Sequence, residues 1–311
     1  MTRLVLTPGE GIGPQITAHV LATTPTPQPW TVIGDWAAVE HEARRFGWTL
    51  PNWVSVVPVQ AAHVGAVCYE SLVQAVRRIH QGQADALVTG PISKAHLWQA
   101  GYAYTGHTEI LQDLATQFWG QPYQSEMLFV HEQFRVLLLT RHVPLAQVGQ
   151  AMTVPGVTQA LSTLVTFLQT RLCLEKPRLL VLGVNPHAGE IGGEEERTVL
   201  IPAIETVNAR FNLSIPPPVA ADGWFRGFNP TCPPVDAVVA SYHDQGLIPV
   251  KLLAGYAAVN VTLGLPFLRT SVSHGTAPDL LAAASPDSLR AAIQQAQQFC
   301  QSPQKTGNSL F

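Results

Sequence analysis

The sequence predicts an α/β protein built around a largely parallel sheet, and three observations carry that reading. Short aliphatic and β-branched runs alternate with helical stretches through most of the 311 residues. Several of those runs empty into polar, glycine-broken turns, as buried parallel strands do at their C-terminal ends. Apolar residues make up 46% of the chain and charged residues 13%, a balance that fits an enzyme with extensive buried strands and excludes a disordered chain. The length accommodates one large domain or two ordinary lobes.

Leu4 to Thr7 is the first strand. The loop Pro8-Gly9-Glu10-Gly11-Ile12-Gly13-Pro14 then opens a helix, with Pro14 in its first turn, where a fixed φ and a missing N–H do no harm. Thr31 to Gly34, Val54 to Val57 and Ala86 to Thr89 follow as strands, separated by helical segments such as Tyr69 to His80. The last of these strands leads into Gly90-Pro91-Ile92-Ser93-Lys94, a turn able to offer Lys94 or backbone N–H groups to an anion. Tyr104-Thr105-Gly106-His107-Thr108-Glu109 clusters a hydroxyl, an imidazole and a carboxylate where a helix begins. A cap explains Thr105 or Thr108 and leaves His107 in need of a purpose.

Phe134 to Leu139 is a strand that empties into Thr140-Arg141-His142-Val143-Pro144-Leu145. Pro155 to Leu174 is the clearest long helix, with Val157, Leu161, Leu164, Val165 and Leu168 on one apolar face that suits core or interface packing. Arg178 to Leu182 is a strand followed by Gly183-Val184-Asn185-Pro186-His187-Ala188-Gly189-Glu190. Residues 216–234 are rich in Pro, Gly and Asp and read as a long loop holding Trp224 and Phe225. Val235 to Ala240 is a buried strand that runs into Ser241-Tyr242-His243-Asp244-Gln245-Gly246 and on to Lys251. Strand and loop from Val259 to Thr270 supply Asn260 and Arg269, and Ser273-His274-Gly275-Thr276-Ala277-Pro278-Asp279 is a polar loop before a last helix.

Three of the 11 histidines, His142, His187 and His243, are each delivered by a strand end. Strand C-termini in an open parallel sheet converge on one edge, and three neutral imidazoles there suit zinc and its first-row neighbours. Taken singly, each is better explained as a hydrogen-bonded turn residue, and no two have the spacing of a finger or of a helical H-E-x-x-H motif. Lys251, Asn260 and Arg269 suit recognition of phosphate and carboxylate oxygens, although solvation at the surface explains Lys251 and Arg269 if each is taken alone. The opening loop contains G-x-G-x-G and lacks the spacing of the dinucleotide fingerprint, so tight-turn glycines are its simplest reading.

The formal net charge of -3 comes from 18 basic and 21 acidic residues with no long block of like charge. That leaves no electrostatic footprint for nucleic acid or a membrane surface. Cys68, Cys173, Cys232 and Cys300 are scattered without a C-x-x-C pair, which argues against both a disulfide framework and a cysteine zinc site. The N-terminus runs straight into a strand, and no apolar stretch reaches the ~18 residues of a membrane span. A cytoplasmic protein is expected.

Gly-His-Thr-Glu at 106–109, Asn-Pro-His-Ala-Gly-Glu at 185–190, Tyr-His-Asp-Gln-Gly at 242–246 and Asn-Val-Thr-Leu-Gly-Leu-Pro-Phe-Leu-Arg-Thr-Ser at 260–271 resemble the 4-hydroxythreonine-4-phosphate dehydrogenases. The likeness spans nearly the whole chain in the family's order. The resemblance implies the two-lobed, non-Rossmann α/β fold of the isocitrate and isopropylmalate dehydrogenases, with the active site in the cleft between lobes. It implies a cofactor-side lobe of residues 1–104 and 259–311 and a metal- and dimer-side lobe of residues 105–258. By the same resemblance His142, His187 and His243 ligate one divalent metal (Zn, Mg or Co), and His107, Thr108, Lys251, Asn260 and Arg269 contact substrate, His107 and Lys251 catalytically. His274, Gly275, Thr276 and Ala277 meet the cofactor, NAD or alternatively NADP, in a homodimer with a shared active site and ligands from both chains.

The implied reaction is oxidation of 4-phosphooxy-L-threonine, then decarboxylation to 3-amino-2-oxopropyl phosphate on the way to pyridoxal phosphate. Two other readings keep the same residues. One is a dehydrogenase of threonate or erythronate 4-phosphate, and the other is a non-catalytic, metal-dependent binder of phosphate esters. Three positions depart from the family pattern. The opening loop lacks Gly-Asp-Pro-Ala before Gly-Ile-Gly-Pro, Arg141 stands where a small or hydroxyl residue is usual, and Ser273 replaces an aspartate.

Overall fold

A computed structural model describes residues 1–276 and 285–301. Along the chain run β1 (Leu4–Thr7), α1 (Gly13–Thr23), β2 (Trp30–Gly34), α2 (Trp36–Phe46), β3 (Ser55–Pro58), α3 (Val64–His80), β4 (Ala86–Thr89), α4 (Lys94–Gln99) and α5 (His107–Trp119). There follow β5 (Glu126–His131), β6 (Phe134–Leu138), α6 (Val148–Ala151), α7 (Val154–Arg171), β7 (Leu179–Val181), α8 (Ile201–Phe211), α9 (Ala221–Phe225), β8 (Ala237–Ala240) and α10 (His243–Ala254). The described chain closes with β9 (Val259–Leu263), β10 (Leu268–Val272) and α11 (Asp287–Gln301). The chain divides into two compact units, residues 1–125 with 256–301, and residues 126–255.

The first unit arranges its strands in the order β3-β2-β1-β4-β10-β9. Neighbours run parallel, except β10 against β9. All four residues of β1 and of β4 are buried, which is why these strands read as continuous apolar runs rather than as alternating ones. Asp35 caps α2 by accepting from the Ala38 N–H, and Gly47 ends that helix in the left-handed region at φ 69°. α3 and α5 pack together on the sheet, where Leu72, Val76, Ile110, Leu111 and Leu114 share one core with Val5, Ile33 and Leu87. The sequence reading divides the chain at 104/105, but this apolar face of α5 carries residues 105–125 into the first unit. His107 and Thr108 thus travel with β9 and β10, and not with His142, His187 and His243.

The second unit orders its strands β5-β6-β8-β7. β5 and β6 form an antiparallel hairpin, whereas β6, β8 and β7 run parallel. β5 is absent from the sequence reading, although Gln121-Pro122 precede it and the polar pair Glu132-Gln133 turns the chain into β6. Leu138 aligns with Ala240 and Val181 with Val239, so β6, β7 and β8 end nearly level and their following loops leave one edge. Val157, Leu161, Leu164, Val165 and Leu168 of α7 are buried at 3% exposure or less, which makes that stripe core packing. Two local expectations change. Residues 216–234 contain the short helix α9, and the chain from His243 onward is a helix, with Lys251 in its last turn. Among the described residues no single helix is long and apolar enough to cross a membrane.

Candidate active site

In the first unit, the side chains of β10 alternate between two faces of the sheet. Thr270 donates its hydroxyl to the Ala292 carbonyl of α11 at 2.8 Å, which leaves Arg269 and Ser271 on the opposite face. Arg269 is 2% exposed. Its guanidinium donates to the Thr89 hydroxyl from Nε at 3.2 Å and from Nη2 at 2.7 Å, and to the Thr262 hydroxyl from Nη1 at 3.0 Å. No acidic side chain among the described residues pairs with it. Burial pulls its pKa down to about 9, so it is still a cation at neutral pH, and among the described residues the rest of its donor fork is unused.

His107 opens α5. Its outer edge reaches solvent, but Nε2 is enclosed and has no hydrogen-bond partner. Burial first, and the Arg269 charge second, hold the imidazole well below its ordinary pKa, so it is neutral at pH 7. On β9, Asn260 aligns with Ser271, and its Oδ1 is likewise buried and unpartnered. Buried polar atoms are nearly always paired in native proteins. Two orphans beside an enclosed guanidinium with no carboxylate partner among the described residues could together meet an anionic ligand that both donates and accepts. Thr108 follows His107 at the start of α5, half-buried.

The opening loop lies against the polar loop after β10. The Ile12 N–H donates to the Thr276 carbonyl at 3.1 Å, and a Cβ on Gly11, whose φ is +63°, would come within 2.4 Å of that oxygen. His274 contacts the Gly275 carbonyl from Nδ1 at 3.0 Å and the Ser288 hydroxyl from Nε2 at 2.8 Å. Ala277 lies outside the described residues. The fold supplies an anchor that sequence reasoning missed. Glu10, 5% exposed, accepts from the Ser93 N–H at 2.6 Å and makes a short contact with His96 Nδ1. Its carboxylate ties the atypical opening loop to the start of α4.

In the second unit, His142 and His243 line one groove of about 310 Å³ with Arg141, Val143, Leu145, Val148, Tyr242 and Asp244. Their ring centroids are 5.8 Å apart. Two imidazoles sharing one ion at ~2.1 Å Zn–N bonds bring their centroids to roughly 5–6 Å, so this pair suits a common ion. His243 Nδ1 meets Asp244 Oδ1 at 2.7 Å, an arrangement that fixes the tautomer and leaves Nε2 for a ligand. Arg141 is paired with buried Glu126 at 3.0 Å. His187 is exposed on the loop after β7 and does not line the groove. Among the described residues no set of three His, Cys, Asp or Glu side chains converges on one point. Lys251 is exposed on α10, eight residues beyond His243.

The chain matches the family model described as pyridoxal phosphate biosynthetic protein PdxA over residues 37–296. It is 39% identical to a 4-hydroxythreonine-4-phosphate dehydrogenase of Methylococcus capsulatus, across 89% of this chain and 90% of the relative. Another, from Thermosynechococcus vestitus, is 37% identical across 94% of this chain and 96% of its own length. Among solved structures, the 4-hydroxythreonine-4-phosphate dehydrogenase of Klebsiella pneumoniae superposes with a TM-score of 0.81 at 29% identity, covering 97% of this chain and all of that one. With agreement in sequence and in fold over nearly the full length, the chain belongs to the pyridoxal phosphate biosynthetic protein PdxA family.

Proposed function

We propose that this chain oxidises the secondary alcohol of 4-phosphooxy-L-threonine with a nicotinamide cofactor and releases carbon dioxide from the resulting β-keto acid, giving 3-amino-2-oxopropyl phosphate for pyridoxal phosphate synthesis. The observation that carries this reading is the enclosed Arg269, uncompensated by any carboxylate among the described residues and flanked by the unpartnered His107 Nε2 and Asn260 Oδ1, in a chain of this family. A guanidinium fork suits a phosphate or carboxylate bidentately. Neutral His107 offers Nε2 to a substrate oxygen or nitrogen without adding charge. Asn260 and Thr108 would supply further polar contacts, and Lys251, exposed on α10 of the second unit, a further cation. Fixing both anionic ends aligns the carbon–hydrogen bond with the acceptor, and such positioning is a large part of the rate.

His142 and His243 would hold a divalent ion, Zn, Mg or Co, and the loop at His274–Thr276, with Ala277, would hold NAD or NADP. When bound, the ion supplies Lewis acidity to the substrate's oxygens and the nicotinamide takes the hydride. The third imidazole, His187, is contributed in this reading by the partner subunit of a homodimer, since only two of the three histidines share a groove. α10 supports the dimer, because it exposes Ile248 at 59% and Leu252 at 81%, one turn apart on the helix that carries His243 and Lys251. Four scattered free thiols suit a reducing, cytoplasmic setting.

The test supplies 4-phosphooxy-L-threonine, NAD or NADP and a divalent cation, and follows reduced cofactor and carbon dioxide together. Stoichiometric release of both is expected. Far higher efficiency with threonate or erythronate 4-phosphate would replace the substrate but keep the enzyme class. No cofactor reduction with any phosphorylated hydroxy acid would overturn the reading.

A further inference from the structure

We propose that Thr89 is a positioning residue that presents the Arg269 guanidinium to an anion without neutralising it, an inference that rests on the reading of Arg269 as an anion-binding group. β4 pairs with β1 on one side and with β10 on the other, and Thr89 aligns with Thr7 and with Ser271. Aligned residues of neighbouring strands project from the same face of a sheet, as do residues two apart along one strand. Leu87 and Thr89 therefore share a face with Arg269 and Ser271. Thr262 and Asn260, which align with Arg269 and Ser271 on β9, complete it. α5, which His107 opens, packs over this face, since Leu87 shares a core with Ile110, Leu111 and Leu114.

Thr89 holds the guanidinium along one edge. Its hydroxyl oxygen accepts from Nε at 3.2 Å and from Nη2 at 2.7 Å, so both of its acceptor lone pairs serve the same side chain. Thr262 accepts from Nη1 at 3.0 Å on the β9 side. A guanidinium has five N–H donors, and among the described residues these bonds leave one free on each Nη for a ligand. Thr89 is fully buried and its strand is paired on both edges, so the hydroxyl is a fixed point against which the fork is set. A carboxylate in its place would make a similar two-pronged contact but would supply a counter-charge. The hydroxyl orients the fork and leaves its charge to the ligand.

Two features separate this contact from ordinary packing of a strand threonine. Buried threonine hydroxyls elsewhere in the chain donate to backbone carbonyls, as Thr140 does to Ser241 and Thr270 to Ala292, whereas Thr89 accepts twice from one charged side chain 180 residues away. The group it holds also lies on the face that carries Asn260, whose Oδ1 is unpartnered, and acts electrostatically on His107, whose Nε2 is unpartnered too. Thr89 thus fixes the one cation of a cluster whose other polar atoms still lack partners among the described residues.

The experiment titrates inorganic phosphate into the wild type, Thr89→Ser, Thr89→Val and Arg269→Met, reading affinity by calorimetry and protection by scanning fluorimetry. Thr89→Ser keeps the oxygen and should bind within about twofold of the wild type, whereas Thr89→Val keeps the shape and should weaken binding about 10- to 100-fold. Combined with Arg269→Met, Thr89→Val should lower the melting temperature less than it does alone, because no guanidinium is then left unpaired. Wild-type affinity in Thr89→Val, with binding lost in Arg269→Met, would overturn the positioning role and leave the anion reading standing. Equal weakening in Thr89→Ser and Thr89→Val would overturn it as well, making the residue a packing element. Undiminished binding in Arg269→Met, or none by the wild type, would overturn the anion reading and the inference with it. Thr89→Ala removes the same oxygen, so the test survives if Thr89→Val fails to fold.

Discussion

Replacing Arg269 by methionine separates a site residue from a structural one. Methionine keeps most of the length and removes the charge. Lowering the guanidinium pKa from 12.5 to about 9 corresponds to about 5 kcal/mol held against the cation. The hydrogen bonds to Thr89 and Thr262 recover only part of this, since no carboxylate among the described residues completes the pair. The ligand-free protein therefore carries a penalty that a bound anion relieves and that methionine abolishes. Arg269→Met is expected to melt at or above the wild-type temperature, because replacing a buried charge by an apolar side chain is commonly neutral or stabilising. Inorganic phosphate should raise the wild-type melting temperature in a saturable manner and leave the variant unmoved. Loss of a charge-assisted contact of about 1.5–3 kcal/mol lowers kcat/KM roughly 10- to 150-fold. Scanning fluorimetry with a phosphate titration, followed by steady-state kinetics, checks all three. A variant that melts far below the wild type and is still protected equally by phosphate would refute the reasoning and make Arg269 a core residue.

His107 gives a pH dependence of definite sign. Its folded-state pKa lies well below 6.5, so between pH 6.5 and that value the unfolded chain binds a proton that the folded chain does not, and stability falls as the pH drops. His107→Gln should remove this acid sensitivity, so that urea unfolding shows a smaller loss of stability than the wild type between pH 7 and pH 5. Leu252→Glu, at the most exposed apolar position of α10, should shift a dimer toward monomer in analytical ultracentrifugation and reduce activity with it. An unchanged dimer would move the interface elsewhere. Lys251→Ala should raise KM for the phosphorylated substrate at least several-fold with little change in melting temperature, because this side chain is exposed and makes no ion pair among the described residues.

The strands that end in polar turns were legible because burial on both faces writes a short apolar run and the loop that follows writes its own chemistry. β1, β4, β6, β7 and β8 all fall where those runs lie. The histidines at 142, 187 and 243 stand out for the same reason, and the motif strings around them carried the family. What the sequence could not rank was Arg269, for which solvation at the surface was the simplest reading taken alone. Its burial depends on the Thr89 hydroxyl, 180 residues away, which is brought alongside by the pairing of β4 with β10. Local periodicity and turn chemistry thus determined the class, the strand ends and the donors. Tertiary structure decided which polar groups lost their water, because desolvation and its compensation are set by strands and loops that meet only in the folded chain.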